Sequence, residues 1–193
     1  MKNLFVLIAV FTIFTIGHSQ SKSTSSRFSK FISQINGDLN KDNIKDVVKV
    51  YKDPRKGDFK TSVFFGTPDG NYKLIIENST LLSNSEGRME VENFPSIEIK
   101  KGILDLTYEL MRGQHNYKFR YQNGNFEMIG FKRSSSDGHA YFETEEANLS
   151  TRTKITTVER YDVENEKPEI TKEKMAIAKL PIFQTFNPET SKY

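Results

Sequence analysis

Gly37-Asp38-Leu39-Asn40-Lys41-Asp42-Asn43-Ile44-Lys45-Asp46 is the stretch whose residue types and spacing could do chemistry. With Asp38 as the first loop position, Asp, Asn, Asp and Asp stand at positions one, three, five and nine. Each of these side chains ends in a hard oxygen, and calcium takes roughly six to eight oxygen ligands in a flexible geometry. Alternate positions of a tight loop turn their side chains toward one centre. Asp38, Asn40, Asp42 and Asp46 are therefore the expected side-chain ligands of a calcium ion. Ile44 is expected to add its backbone carbonyl while its side chain anchors the loop to the core. Three carboxylates crowded together repel one another unless a cation joins them. Position six is Asn43, the kind of non-glycine residue that best tolerates left-handed backbone. Position twelve is Lys49, where an EF-hand carries its bidentate Glu, and Val47 to Val50 reads as a strand, so the loop is not an EF-hand. The plain alternative is an Asx-rich turn with no metal.

The other polar clusters carry weaker chemistry. Ser134, Ser135, Ser136, Asp137 and His139 lie close in sequence and invite a Ser-His-Asp reading, but triads are assembled by the fold. A polar, Gly-containing run of this kind reads as a loop. Cysteine is absent, so no thiol nucleophile exists, and His18 precedes an expected cleavage point, leaving His115 and His139. Two histidines without a pattern such as HExxH give no zinc signature. Glu143, Glu145 and Glu146 include the pair of carboxyls that glycoside hydrolysis needs, yet they read as a solvated acidic edge. Tyr117, Phe119, Tyr121, Phe126 and Phe131 are either an aromatic platform for a glycan or peptide or, as burial of aromatics favours, core. Asn78-Ser79-Thr80 and Asn148-Leu149-Ser150 match the glycosylation sequon. No catalytic set is assigned.

The elements that must position the loop are strands. Asp46–Lys52 is short and β-branched. Thr61–Thr67 and Tyr72–Glu77 flank Pro68-Asp69-Gly70, and Ser96–Lys100 and Ile103–Leu110 flank Lys101-Gly102. Tyr117–Tyr121 alternates aromatic and basic residues, and Asn123-Gly124 marks a type I′ turn into Phe126–Phe131. Thr153–Tyr161 and Glu169–Ala178 follow, parted by a turn at Asn165–Pro168. Short helices are expected at Arg27–Ile35 and Leu81–Ser85. The fold class is all-β: an antiparallel sandwich, curled sheet or open barrel of successive hairpins with one or two short helices.

Residues 1–19 read as a secretory signal peptide: Lys2, an apolar run from Leu4 to Ile16, then small residues Gly17 and Ser19, with cleavage before Gln20. The run falls short of the roughly 18 residues of a spanning helix, and none follows later, so the mature protein is expected to carry no transmembrane segment. Residues 20–29 read as a flexible lead-in and 30–193 as one β-rich domain holding the loop at 38–46. Lys and Arg total 28 against 25 Asp and Glu, without the clustered basic face of a nucleic-acid binder. A chain with no disulfides must fold on apolar burial, hydrogen bonding and a bound ion if there is one.

GDLNKDNIKDVVKV resembles the aspartate-rich calcium loop of FG-GAP repeats, found in integrin α-chains, and of VCBS-type modules. It is present in a single copy, whereas a propeller needs several. The resemblance implies a structural calcium site in a β-rich extracellular module, with a strand after the loop. YKFRYQNGNFEMIGF, Tyr117 to Phe131, is similar to secreted bacterial proteins that pair such a loop with a β domain. The expected function is thus an exported, secreted or periplasmic, non-catalytic protein with a structural calcium loop that binds a protein or glycan partner at the envelope or outside the cell. The alternatives are an exported hydrolase with an unrecognised active site and a metal-free interaction or inhibitor protein.

Overall fold

The computed structural model describes residues 27–81 and 95–191. The leader, most of the lead-in and all of the expected Leu81–Ser85 helix after Leu81 lie outside them. The chain is all-β, built as two antiparallel sheets that do not close into a barrel. The first, in order β1-β2-β3-β4, contains β1 (Lys30–Gly37), β2 (Asp46–Lys52), β3 (Phe59–Gly66) and β4 (Tyr72–Asn78). The second is a seven-stranded meander: β5 (Ser96–Lys100), β6 (Ile103–Leu110), β7 (Gly113–Gln122), β8 (Asn125–Ser136), β9 (Tyr141–Asn148), β10 (Thr153–Arg160) and β11 (Glu169–Lys174).

Turn chemistry sets the registers. Lys101 and Gly102 have φ of 52° and 75°, and Asn123 and Gly124 have 52° and 77°, so both pairs adopt the doubly left-handed backbone of a type I′ hairpin. Gly70, at φ 80°, closes the β3–β4 turn and donates its N–H to the Thr67 carbonyl at 2.9 Å. Period-2 alternation then selects the buried face. Leu104, Leu106 and Tyr108 of β6 and Tyr117 and Phe119 of β7 are fully buried, as are Val48, Val50 and Val63 from the first sheet. The sheets meet through these faces, with Phe65 of β3 edge-on to Tyr121 at 4.8 Å.

A strap after β11 completes the core. Its one 3₁₀ turn, Phe183–Thr185, is the only helical element among the described residues. Phe183 and Phe186 enter the core against Phe119, at 5.4 and 5.1 Å between ring centres. Asn78 at the end of β4 holds the strap by donating its amide to the carbonyls of Phe183 and Phe186. No helix among the described residues is long and apolar enough to cross a membrane.

Four expectations need correction. The helix over Arg27–Ile35 is instead β1 from Lys30, because pairing with β2 satisfies its backbone, placing Phe31 opposite Tyr51 and Ile35 opposite Val48. The run Ser134 to Ser136 is not loop but the end of β8, held by β7 and β9 on either side. Glu143, Glu145 and Glu146 do not form a sheet edge. They lie on β9, an interior strand, where alternation sends Glu146 to the opposite face from the other two. The expected strand Glu169–Ala178 ends at Lys174, where the strap begins.

Candidate metal centre

The loop from Asp38 to Asp46 joins β1 to β2. Lys41 and Asn43 both adopt φ of 66°, so the left-handed position expected at Asn43 has a second one at Lys41. These reversals wind the chain tightly enough for side-chain oxygens to meet backbone N–H groups of the same loop. Asp38 accepts from Lys41 N–H at 2.6 Å on one oxygen and from Asn43 N–H at 3.0 Å on the other. Asn40 Oδ1 accepts from Asp42 N–H at 3.1 Å, and Asp42 Oδ1 accepts from Ile44 N–H at 2.8 Å. The Asn40 amide donates to Asp42 Oδ2 at 2.8 Å.

Asp46 takes a different position. It is fully buried at the start of β2, where it accepts from Leu39 N–H at 2.6 Å and Gly66 N–H at 3.0 Å. Burial pushes its carboxyl above the usual range, while the N–H donors of Leu39, Gly66 and Asn40 oppose the shift and the Asp42 charge adds to it. Asp46 therefore clasps the two ends of the loop to β3. Gly66 is required there: a Cβ on it would lie 2.5 Å from the Lys45 carbonyl oxygen and 2.7 Å from Ile44 Cγ2. Ile44 thus anchors the loop against β3, and Leu39, fully buried, anchors it in the main core.

The loop sits at the seam between the sheets. A Cβ on Gly37 would lie 2.5 Å from Ile99 Cγ2 of β5, and one on Gly102 would lie 3.2 Å from Lys41 Cε and 3.6 Å from the Asp38 carbonyl oxygen. It therefore touches both sheets. Among the described residues no three His, Cys, Asp or Glu side chains are gathered as a metal cluster. The donor chemistry nonetheless fits calcium. Asp38, Asn40 and Asp42 are oxygen donors on alternate residues of one exposed loop, and a carboxylate has about four lone-pair directions, more than the N–H groups here occupy.

The remaining clusters are held by other bonds. Asp137 Oδ1 accepts from the backbone N–H groups of His139, Ala140 and Tyr141 at 2.9, 2.9 and 3.1 Å and from Tyr161 OH at 3.2 Å. His139 thus offers Asp137 its backbone rather than its ring. Ser136 Oγ accepts from Gly138 N–H at 3.0 Å, and Ser134 Oγ accepts from Gln114 N–H at 3.2 Å. His115 is half-buried on β7, edge-on to Tyr117. Burial and the Arg133 charge hold its imidazole below the usual range, and Glu145 opposes them. Glu145 is engaged by Lys154 at 3.0 Å, which also reaches Glu173 at 2.9 Å.

The donors around Asp137 hold its carboxyl well below the usual value of 3.8, the turn N–H groups of His139 and Ala140 first among them. A depressed folded pKa stabilises the fold above the unfolded value and loses that contribution as pH falls through the folded one. Asp137→Asn keeps an acceptor oxygen but no charge. Urea unfolding is expected to show the wild type more stable than this variant at neutral pH, with the gap narrowing below about pH 4. A gap constant from neutral pH into that acid range would show that the charge adds nothing.

Sequence reasoning missed two structural residues, Asp46 as an inward clasp and Asn78 as the strap's anchor. The signal at Asn78 was its place in a strand ending in a buried row, but the strap's carbonyls lie more than a hundred residues away. Compared with known protein families, curated proteins and solved structures, the chain matches none.

Proposed function

We propose that this chain is an exported, non-catalytic β-rich binding module of the cell envelope or exterior, whose Asp38–Asp46 loop holds a structural calcium ion. The observation that carries the reading is the loop's geometry: oxygen donors Asp38, Asn40 and Asp42 wound around the N–H groups of one loop, Leu39 and Asp46 buried beneath it, at the seam of both sheets. Calcium would supply the positive charge that lets Asp38 and Asp42 stay close. This chain's own residues do the rest: the N–H groups of Lys41, Asn43 and Ile44 orient the carboxylates, and Asp46 ties the wound loop to β3. The export part rests on the leader at 1–19, and N-terminal sequencing of the exported protein should begin at or near Gln20. An intact Met1 on the folded, exported protein would overturn that part.

An ion that binds the folded loop and not the open chain stabilises the fold by RT ln(1 + [L]/Kd). Extracellular calcium modules bind at about 10⁻⁴ to 10⁻³ M, so millimolar calcium should add about 1 kcal/mol and raise Tm, with magnesium adding less. Asp42→Ala and Asp38→Ala should abolish the response. Asn43→Gly should keep it, since glycine adopts the same left-handed backbone. Asp46→Ala should destabilise by about 1–3 kcal/mol even without calcium, by stranding the Leu39 and Gly66 N–H groups. A melting curve unmoved by millimolar calcium, with no heat in titration calorimetry, would leave the loop an Asx-rich turn.

A further inference from the structure

The seven-stranded sheet carries its core on one face, and its other face holds a cross-strand array of lysines. Alternation puts Lys118 between the buried rings of Tyr117 and Phe119, so it points outward, and Lys132 follows buried Phe131 in the same way. Register then aligns two neighbouring rows. One runs Asn116, Lys132, Glu146, Ile155 and Lys172. The other runs Lys118, Gly130, Asn148, Thr153 and Lys174. Gly130 has no side chain to fill the middle of the second row, and a Cβ there would lie 2.7 Å from the Ala147 carbonyl oxygen. The result is an open trough of about 420 Å³ across β7 to β11.

Lys118, Lys132 and Lys172 line this trough, and Lys174 reaches its rim through the Thr151 carbonyl at 3.4 Å. Glu146 is the one carboxylate lining it. Asp105, beyond Lys118 on β6, is taken up by the Asn116 amide. None of the four lysines makes an ion pair among the described residues. Four positive charges against two negative ones, Glu146 in the trough and Asp105 at its β6 end, leave a local excess of positive charge that attracts anions. At about 4.8 Å per strand, Lys118 on β7 and Lys174 on β11 stand about 19 Å apart across the sheet, a span for a chain rather than a single small ion.

We propose that this trough binds an anionic glycan chain, one bearing carboxylate or sulfate groups. The lysines would meet the charges, and Asn148, Thr151 and Thr153, which also line the trough, would meet the hydroxyls. Single-stranded nucleic acid needs rings on which bases stack, and the one ring lining the trough, Phe131, is buried in its floor. Insertion into a membrane needs a broad set of protruding apolar side chains, and the exposed aliphatics beside the lysines are Ile155, 37% exposed, and Ile170, 67% exposed; attraction of anionic lipid by the lysines alone is what the vesicle comparison reads. The inference names a ligand for the binding role proposed above and rests on that role, but not on the calcium loop.

The test is titration of the mature protein, in calcium-free buffer at low salt, with fluorescent oligomers of a polyuronate and of sulfated dextran. Neutral dextran, oligothymidine and phosphatidylglycerol vesicles serve as comparisons. Binding to either anionic glycan is expected, weakening as salt is added. Whichever of the two binds more tightly identifies the charged group. Lys118→Glu with Lys132→Glu should weaken binding at least about tenfold, while the double Arg variant should retain it. Lys73→Glu, an exposed charge reversal on β4 in the other sheet, should leave it unchanged. The proposal is overturned if neither glycan binds, if Lys73→Glu costs as much as the pair, or if oligothymidine or vesicles bind as tightly. The calcium response of the melting curve, recorded separately, tells failure of this site from failure of the loop.

Discussion

Phe119→Ala is expected to lower the free energy of unfolding by about 3–5 kcal/mol. Phe119 is fully buried in mid-β7, with its ring edge-on to Phe183 at 86° and to Phe186 at 67°. Truncation removes the ring's transfer free energy and leaves a cavity that two sheets and a strap cannot all collapse to fill. It also removes two edge-to-face contacts, each contributing about 0.5–1.5 kcal/mol. Urea unfolding measures the loss, and Tm should fall on the order of 10 °C. The result separates the two readings of the aromatic run from Tyr117 to Phe131. A binding platform at Phe119 would lose ligand affinity at unchanged stability; a core residue loses stability first. An effect below about 1 kcal/mol would contradict the packing described here.

Asn78→Ala is expected to destabilise by about 2–4 kcal/mol, although Asn78 opens a glycosylation sequon, Asn78-Ser79-Thr80. Its side chain is 2% exposed. Its amide donates to the carbonyls of Phe183 and Phe186, and its Oδ1 accepts from Thr80 N–H at 2.6 Å and Thr80 Oγ at 2.9 Å. Alanine leaves two carbonyls of the buried strap without this donor and loosens the seating of Phe183 and Phe186. Asn78→Asp should be damaging as well, since a carboxylate cannot donate and would place a charge against two carbonyl oxygens. Urea unfolding is the measurement. A variant as stable as the wild type would mean that the strap is held by its aromatic rings alone. Asn148, the other sequon residue, is exposed and caps Thr151 N–H, so the same substitution there should cost less.

Most of the strand framework was legible because hairpins are local. The spans expected at Asp46–Lys52, Ser96–Lys100 and Ile103–Leu110 are those of β2, β5 and β6. Two residues at Lys101-Gly102 and Asn123-Gly124 set both the turn type and the register that follows. Alternation also puts Leu104, Leu106 and Tyr108 on one face of β6, which is the buried one, because a side-chain period of two needs no knowledge of the partner strand. The donor set of the Asp38–Asp46 loop was equally local: oxygen-bearing residues at alternate positions, with Asn43 able to turn left-handed.

Contacts distant in sequence were decided only by the tertiary structure. Arg27–Ile35 carries apolar residues spaced for a short helix, and only the open edge of β2 makes β1 a strand, because an edge N–H bonds whichever chain reaches it. Asp46 reads from the sequence as one more loop ligand, and only the tertiary structure shows its carboxylate accepting the N–H of Gly66 at the far end of β3. The lysines at 118, 132, 172 and 174 are scattered along the chain, and each reads as ordinary solubilising charge. Four strand pairings bring them across one trough. Strand alternation fixes which side of the sheet a residue faces, but the residues opposite it are chosen by register, and register is a property of pairs of strands.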